Sequence, residues 1–188
     1  LRRQRQMCIR DRYRINAGFI AQNHWTQSKE GGGRLLGEVC HFIDFMQYIT
    51  GQDPAVVHAE CASFHSEQMN NWDNLSILIR FAGGSIGVIT YIACGNGLLG
   101  KERIEIFGSG KTCVIDDFKY GEIYTGRKLK RIKRRGKGHK EEVEAFLKSI
   151  VEGAASPLPF ESAILTTRST FRIADSLRTG LPQRVLNP

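Results

Sequence analysis

The stretch from Gly31 to Asp44 carries the residues best suited to chemistry in this chain. Three consecutive glycines lead into a helix-forming sequence in which Glu38, His41 and Asp44 follow one another at three-residue spacing. This spacing places all three on one side of a helix, opposite an apolar stripe. An imidazole between two carboxylates can transfer a proton near neutral pH. The same spacing also fits a surface histidine that makes ordinary helix pairs, and spacing alone leaves both interpretations open.

The predicted helix that positions these residues is amphipathic. Its apolar residues recur at the period of a core-facing helix, and they are Leu35, Val39, Phe42, Ile43, Met46 and Ile49. The helix is expected to end near Thr50 and Gly51. A metal site of His24, His41 and Glu38 would match the two-histidine, one-carboxylate set of non-haem iron, but nothing in the spacing brings His24 to this helix. We therefore predict no metal site.

Residues 2–12 resemble, residue for residue, one reading frame of a transposase-type sequencing-library adapter. The competing interpretation is a basic arm for nucleic acid or an organelle presequence. The segment holds five of the 27 basic and one of the 19 acidic residues, so the other residues contribute +4 of the net charge of +8. We expect residues 1–12 to be a non-native segment and residues 13–188 to form one domain with its own core.

Composition excludes several classes of protein for residues 13–188. No apolar run has the length of a membrane span, and no secretory signal is present. The cysteines show no paired spacing, which argues against a zinc site and a disulfide framework; they are Cys40, Cys61, Cys94 and Cys113. We expect a cytoplasmic protein with reduced thiols and no membrane partner.

The remaining elements predict an α+β fold. Seven short segments are predicted to be strands: 13–19, 56–65, 75–81, 86–92, 103–107, 112–116 and 122–124. The helix separates the first two, and a polar connection separates 56–65 from 75–81. From residue 75 onward the apolar residues alternate, with glycine-containing turns such as 83–84 and 108–110 between strands. Strands joined by such short turns must be mostly antiparallel. Two helices close the chain, with apolar stripes at Val143, Phe146, Leu147, Ile150 and Val151, and at Ile164, Thr167, Phe171, Ala174 and Leu177. We predict an open, mostly antiparallel β-sheet with helices packed on one face.

Residues Gly95 to Gly100 fit the GxGxxG pattern of dinucleotide-binding loops, and with Lys101 they fit most of the phosphate-loop pattern. Both loops work because a helix starts directly after the glycines and points its N-terminus at phosphate. Here residues 103–107 alternate as a strand, so the glycines predict a hairpin loop. We expect no cofactor-binding residues in this chain.

Nine basic residues lie between Arg127 and Lys140. Such a run can contact phosphates, but it lacks the interleaved aromatic residues on which bases stack. Leu129 and Ile132 favour a short edge strand whose lysines discourage edge-to-edge pairing. We expect no nucleic-acid partner. A non-catalytic binding or assembly module, using this basic run or the open sheet face, is the alternative to an enzyme.

Residues 13–188 resemble the C-terminal domain of the Gfo/Idh/MocA family of nicotinamide-dependent oxidoreductases. The residues that carry the resemblance are 13–19, His24, Trp25 and 31–44, with support from 101–108 and 138–146. The helix is most similar to a bacterial subgroup whose motif runs GEGCHFID, which includes bi-domain oxidoreductases. The resemblance implies a Rossmann domain upstream of this chain, with the active site between the two domains.

The family motif GGGxxxDxGxHxxD assigns roles to this helix by resemblance. Its histidine, a catalytic or substrate-contacting residue, matches His41, and its last aspartate matches Asp44. Its first aspartate matches Gly37 and is therefore missing. Glu38 lies next to that position, but one residue along a helix turns by about 100°, so its side chain leaves the helix in a different direction from that of the family's aspartate. The family's motif lysine belongs to the upstream domain.

The resemblance implies that the chain is part of an NAD- or NADP-dependent oxidoreductase acting on a hydroxyl or carbonyl group of a sugar or sugar-nucleotide-like substrate. It makes His41 catalytic, and the expected substrate contacts are Asn16, His24, Trp25, Glu38 and Asp44. The cofactor would be held mainly by the upstream domain, so the chain alone is expected to be inactive. We also expect a homo-oligomer formed through the open sheet face.

Overall fold

The computed structural model describes residues 9–63, 70–133 and 138–186. Within these ranges, nine strands form one open sheet in the order β8-β7-β6-β5-β1-β4-β3-β2-β9, accompanied by three α-helices. The strands are β1 (Arg10–Asn16), β2 (Pro54–Cys61), β3 (Leu75–Phe81), β4 (Ile86–Ile92), β5 (Glu102–Gly108), β6 (Lys111–Asp116), β7 (Tyr120–Thr125), β8 (Lys128–Lys133) and β9 (Gln183–Arg184). The helices are α1 (Cys40–Thr50), α2 (His139–Glu152) and α3 (Phe160–Thr179). The predicted α+β fold is confirmed.

Strand β1 lies at the centre of the sheet. It pairs in parallel with β4 and antiparallel with β5, and all other neighbouring strands described are antiparallel, as the short turns predict. The strand begins and ends three residues earlier than the predicted segment 13–19. The backbone of residues 10–12 pairs with β4 and β5, and this pairing does not require alternating apolar side chains. At the other end the chain turns away from the sheet at Gly18, where φ is +77°. Residues 10–12 of the adapter-like segment are therefore part of the sheet.

Helix α1 packs on the sheet through the predicted apolar stripe. Leu35, Val39, Phe42, Ile43 and Met46 are at most 4% exposed. A Cβ added to Gly87 of β4 would lie 2.5 Å from the sulfur of Met46, so the side chain of Met46 packs directly on the strand where it has no side chain of its own. The helix ends at Gly51 in a left-handed C-cap, as predicted.

The glycine run turns the chain from a 3₁₀ turn, Trp25–Gln27, into the start of this helix. A Cβ at Gly31 would lie 2.3 Å from the carbonyl oxygen of Trp25. Gly32 and Gly33 have φ values of +71° and +72°, which other residues rarely adopt. The next residues, Leu35–Val39, form a π-helical turn that runs directly into α1. Such a turn is one residue wider than an α-turn and often occurs at functional sites.

The buried face of α3 agrees only in part with the predicted stripe, of which Ala174 is buried and Leu177 packs against the core. Ile164, Thr167 and Phe171 are exposed, and the buried side chains are Thr166, Ser169, Thr170, Ile173, Ala174 and Ser176. Hydroxyl groups on this face find hydrogen-bond partners: Thr166 Oγ1 donates to Gln47 Oε1 at 2.6 Å. These small side chains let α3 lie close to β2 and α1. The predicted stripe was based on apolar residues and therefore did not include the buried hydroxyl side chains.

The other predicted elements agree with the structure, with two exceptions. Strand β2 ends at Cys61, and His65, where the predicted strand ended, lies outside the described residues. Helix α2 forms as predicted, but none of its apolar stripe is buried. Strand β8 forms the sheet edge expected from the basic run, of which residues 134–137 lie outside the described part. None of the helices in the described ranges is long and apolar enough to cross a membrane.

Candidate active site

His41 lies at the rim of a cleft of about 390 Å³. The cleft is lined by the start of α1, by β1 and β5, by the turn after β6 and by the start of α2. Its floor consists of four aromatic residues, Tyr13, Phe42, Phe45 and Phe118, and its polar lining of Glu38, His41, Lys101, Glu102, His139 and Glu142. An apolar floor with a few polar groups around it is the usual form of a small-molecule site.

The aromatic floor is held by edge-to-face contacts. The ring of Tyr13 lies 4.8 Å from that of Phe42 and 5.5 Å from that of Phe45, and Phe45 lies 6.0 Å from Phe118. The Tyr13 hydroxyl donates to the Glu102 carboxylate, and burial together with this hydrogen bond raises the pKa of Tyr13. Tyr13 therefore stays protonated and contributes a rigid surface to the cleft.

Glu38 is the centre of a charged network on one side of the cleft. Its Oε1 accepts a hydrogen bond of 2.6 Å from Lys101 Nζ. Its Oε2 accepts from the Tyr91 hydroxyl and, at 3.2 Å, from Arg34 Nη2. Arg34 is 6% exposed, and its guanidinium lies 5.2 Å from the centre of the Tyr91 ring. The Glu38 carboxylate, one turn before His41, thus accepts hydrogen bonds from three side chains: Lys101, Tyr91 and Arg34.

These donors keep Glu38 ionised. Burial raises the pKa of its carboxyl, but the hydrogen bonds from Lys101 and Tyr91 and the charges of Lys101 and Arg34 outweigh burial, and the pKa lies below its usual value. Glu38 and His41 line the same cleft, as their spacing predicts. Within the described residues, however, no hydrogen bond or ion pair joins them, so Glu38 is placed to bind cations and not to share a proton with the imidazole.

Asp44 lies on the other side of His41. It lines a second cleft of about 260 Å³ together with Cys40, His41 and residues at the start of α3. Burial raises the pKa of the Asp44 carboxyl, an effect that the nearby His41 reduces and that Glu142 increases. His41 therefore has a partly buried carboxylate one turn further along its own helix.

The other three predicted substrate contacts, Asn16, His24 and Trp25, do not line the cleft. Asn16 is 7% exposed at the end of β1, where its Nδ2 donates to the carbonyl oxygens of Asn96 and Leu99. His24 caps the 3₁₀ turn, and Trp25 is 70% exposed beside it; neither lines the described cleft. Asn16 borders the site through the loop that it holds.

The glycine-rich loop 95–100 leads into β5, as predicted, so no helix follows its glycines. A Cβ at Gly95 would lie 2.0 Å from Asn16 Oδ1. Close packing against β1 therefore accounts for the glycine at this position. The loop therefore does not fit the pyrophosphate of a dinucleotide. Among the described residues, no group of three or more His, Cys, Asp or Glu side chains can hold a metal ion, and the four cysteines described are free.

Sequence reasoning gave no role in the site to four polar residues that line the cleft, Lys101, Glu102, His139 and Glu142, or to Tyr91, which donates to Glu38. Lys101 was considered as part of the phosphate-loop pattern and of the segment 101–108 that supports the family resemblance, and Tyr91 was placed only in a strand. His139, at the start of α2, lines the cleft opposite α1. Only Lys101 had a sequence signal, since a charged residue between a glycine-rich loop and a strand is well placed to border a pocket.

Comparison with known proteins places this geometry in a family. The model of the GFO/IDH/MocA C-terminal domain matches residues 6–114, which is more than half of the chain. No curated protein matches the chain.

Solved structures share the fold at low sequence identity. An oxidoreductase domain protein from Kribbella flavida has a TM-score of 0.75 and 20% identity, over 97% of this chain and 60% of that one. Levoglucosan dehydrogenase in complex with NADH and levoglucosan has a TM-score of 0.75 and 18% identity, over 95% and 59%. UDP-N-acetylglucosamine 3-dehydrogenase GnnA from Acidithiobacillus ferrooxidans has a TM-score of 0.71 and 13% identity, over 89% and 53%.

The chain thus spans at most 60% of the length of these structures. The family match covers β1, the π-helical turn, α1 and the strands that form the cleft. This match shows that the chain belongs to the GFO/IDH/MocA family and that it contains the C-terminal domain of that family.

Proposed function

We propose that this chain supplies the substrate-binding domain and the catalytic His41 of an NAD(P)-dependent oxidoreductase acting on a hydroxyl or carbonyl group of a sugar or sugar-nucleotide-like substrate. The observation that carries the proposal is the cleft itself: an imidazole at the rim of an aromatic floor, in a domain of this family. Two structural neighbours are named as dehydrogenases of levoglucosan and of UDP-N-acetylglucosamine, which supports a sugar-type substrate.

The residues of this chain would bind the substrate and move its hydroxyl proton. The aromatic floor suits the apolar face of a sugar ring. His41 would accept the proton of the reacting hydroxyl, and Asp44 would stabilise the resulting imidazolium from one turn away. NAD or NADP, when bound by residues upstream of this chain, supplies the acceptor for the hydride that leaves the same carbon.

The proposal is tested by His41→Gln in the intact parent protein. NAD(P)H formation is followed with levoglucosan and UDP-N-acetylglucosamine as substrates, and with L-sorbose, which another structure of levoglucosan dehydrogenase holds together with NADH. We expect the kcat of the variant to fall about 100- to 10,000-fold, because a positioned general base contributes about that factor, and its pH profile to lose the limb due to the imidazole. His58→Gln is the matched control, since His58 lies on β2 and hydrogen-bonds Ser176, away from the cleft.

Three outcomes are distinguishable. No NAD(P)-dependent turnover by the intact wild-type protein on any of these substrates would contradict the oxidoreductase proposal. Turnover that His41→Gln leaves unchanged, with the same pH profile, would contradict the catalytic assignment alone. The 188-residue chain serves as a further control, and we expect it to show no turnover.

We also propose that the outer face of the sheet, opposite α1 and α3, binds a second copy of this chain. Large side chains of the strands are exposed there, and they are Leu78, Phe107, Tyr120, Tyr124 and Leu129. Exposed patches of this kind mark interaction sites.

A further inference from the structure

We propose that Lys101 is a substrate-contacting residue of the cleft, and that Glu38 is the positioning residue that holds its ammonium group there. The ammonium would donate hydrogen bonds to an oxygen of the substrate other than the one that reacts at His41: a ring hydroxyl, or a carboxylate where the sugar carries one. This inference rests on the proposed oxidoreductase function and adds a residue that selects the substrate.

The backbone of Lys101 is fixed to the centre of the sheet. Its carbonyl oxygen accepts a hydrogen bond of 2.7 Å from the backbone N–H of Asn16. The carbonyl of the preceding Gly100 accepts at 2.7 Å from Arg14 Nη1, and that of Leu99 accepts at 3.0 Å from Asn16 Nδ2. Three hydrogen bonds from β1 over three consecutive residues leave the loop little freedom at this point.

The tip of the side chain is fixed as well. Lys101 Nζ lies 2.6 Å from Glu38 Oε1. Among the described residues, Glu38 is the only hydrogen-bond partner of this ammonium, which has three N–H donors. The side chain is 46% exposed and lines the cleft, so its other donors are available to a ligand. A flexible lysine is thus held in one place before the substrate binds, which lowers the entropy lost on binding.

Glu38 is better suited to holding Lys101 than to binding the substrate itself. Its two oxygens already accept hydrogen bonds from Lys101, Tyr91 and Arg34. Arg34 is in turn fixed by the carbonyl oxygens of Gly18, at 2.5 Å, and Ala17, at 3.1 Å. The carboxylate therefore has a fixed position and little remaining capacity for ligand hydroxyls.

The competing explanation is an ordinary ion pair that only neutralises Glu38. Such a partly exposed pair contributes little to stability, and its loss would leave substrate binding unaffected. The two explanations differ in what Lys101→Met does to the KM for the substrate, compared with the KM for the cofactor.

The test uses the intact parent protein with the sugar on which it turns over. For Lys101→Met, we expect the KM for the sugar to rise about 10- to 100-fold, the effect of losing a hydrogen bond to a charged group, with kcat changed far less. The KM for NAD(P) and the midpoint of thermal unfolding should stay at the wild-type values. Lys101→Arg, which keeps a charged donor, should recover most of the loss.

Glu38→Gln removes the charge that holds Lys101 and should raise the same KM by a smaller factor. Lys111→Met, on the exposed first residue of β6, is the matched control and should change nothing. An unchanged KM in Lys101→Met, in a protein that does turn over a sugar, would overturn the assignment of Lys101 while leaving the proposed function standing. A parent protein without any sugar oxidoreductase activity would instead overturn the proposed function, and this inference with it.

Discussion

Replacing Asp11 by valine should stabilise this protein, and by more at pH 8 than at pH 5. Asp11 lies on β1, on the same face as Tyr13 and Ile15, and is 3% exposed. Neither of its carboxylate oxygens has a hydrogen-bond partner in the described structure. Burial raises the pKa of this carboxyl from 3.8 to about 7, because the charged form is poorly solvated there.

The magnitude follows from this pKa. Between pH 4 and pH 7 the folded protein holds the proton of Asp11 more tightly than the unfolded chain does, so stability falls as the pH rises through this range. At about 1.4 kcal/mol per pKa unit, the full penalty above pH 7 is about 4 kcal/mol. At pH 5 the folded carboxyl is still protonated, and the penalty is smaller by about 2 to 3 kcal/mol. Asp11→Val should remove both the penalty and its pH dependence.

The assay is urea-induced unfolding of the 188-residue chain at pH 5 and pH 8. Asp11→Val should gain about 2 to 4 kcal/mol at pH 8, and the gain should be smaller by about 2 to 3 kcal/mol at pH 5. Asp11→Asn removes the charge while keeping the shape of the side chain. Asp53→Asn, at an exposed position, is its matched control. An Asp11→Val variant no more stable than wild type at pH 8, or one with the same gain at both pH values, would refute the reasoning.

Two further predictions concern the loop and the sheet face. Asn16→Ala should destabilise the chain by about 1 to 3 kcal/mol, because the carbonyl groups of Asn96 and Leu99 lose their donor; thermal unfolding measures this, and an unchanged midpoint would count against the role of Asn16. The protein should sediment as a dimer or larger oligomer that the charged double variant Phe107→Glu, Tyr120→Glu dissociates. A wild-type protein that is monomeric at every concentration would contradict the proposed sheet-face contact.

The elements that were easiest to predict from the sequence are those that pack one face against a single neighbouring surface, because their apolar residues then recur at a regular spacing. The apolar stripe from Leu35 to Met46 is buried because α1 and the turn before it present the same side to the sheet along their whole length. The alternation in β3 and β4 follows for the same reason. The edge strand β8, which is exposed throughout, was predictable from its lysines instead. The position of His41 on the exposed side of α1 was predictable from this pattern.

The partners of the site were less accessible to prediction. Lys101 and Glu38 lie 63 residues apart, and which donors reach a carboxylate depends on how separate elements pack. The π-helical turn before α1 also has no periodic signature, because it is a single turn. The face of α3 was misjudged because hydroxyl side chains such as Thr166 and Ser176 are buried with hydrogen bonds that apolar patterns do not include.

The central place of β1 also has a consequence for how the protein folds. Contacts of this first segment of the sheet span 76 residues, from Ile9 to Ser85, and 89 residues, from Tyr13 to Glu102. The hairpins of β5 to β8 need only short loop closures, so they can form while β1 is still unpaired. We expect the rate-limiting step to be the insertion of β1 between β4 and β5, which joins two half-sheets with exposed edges into one.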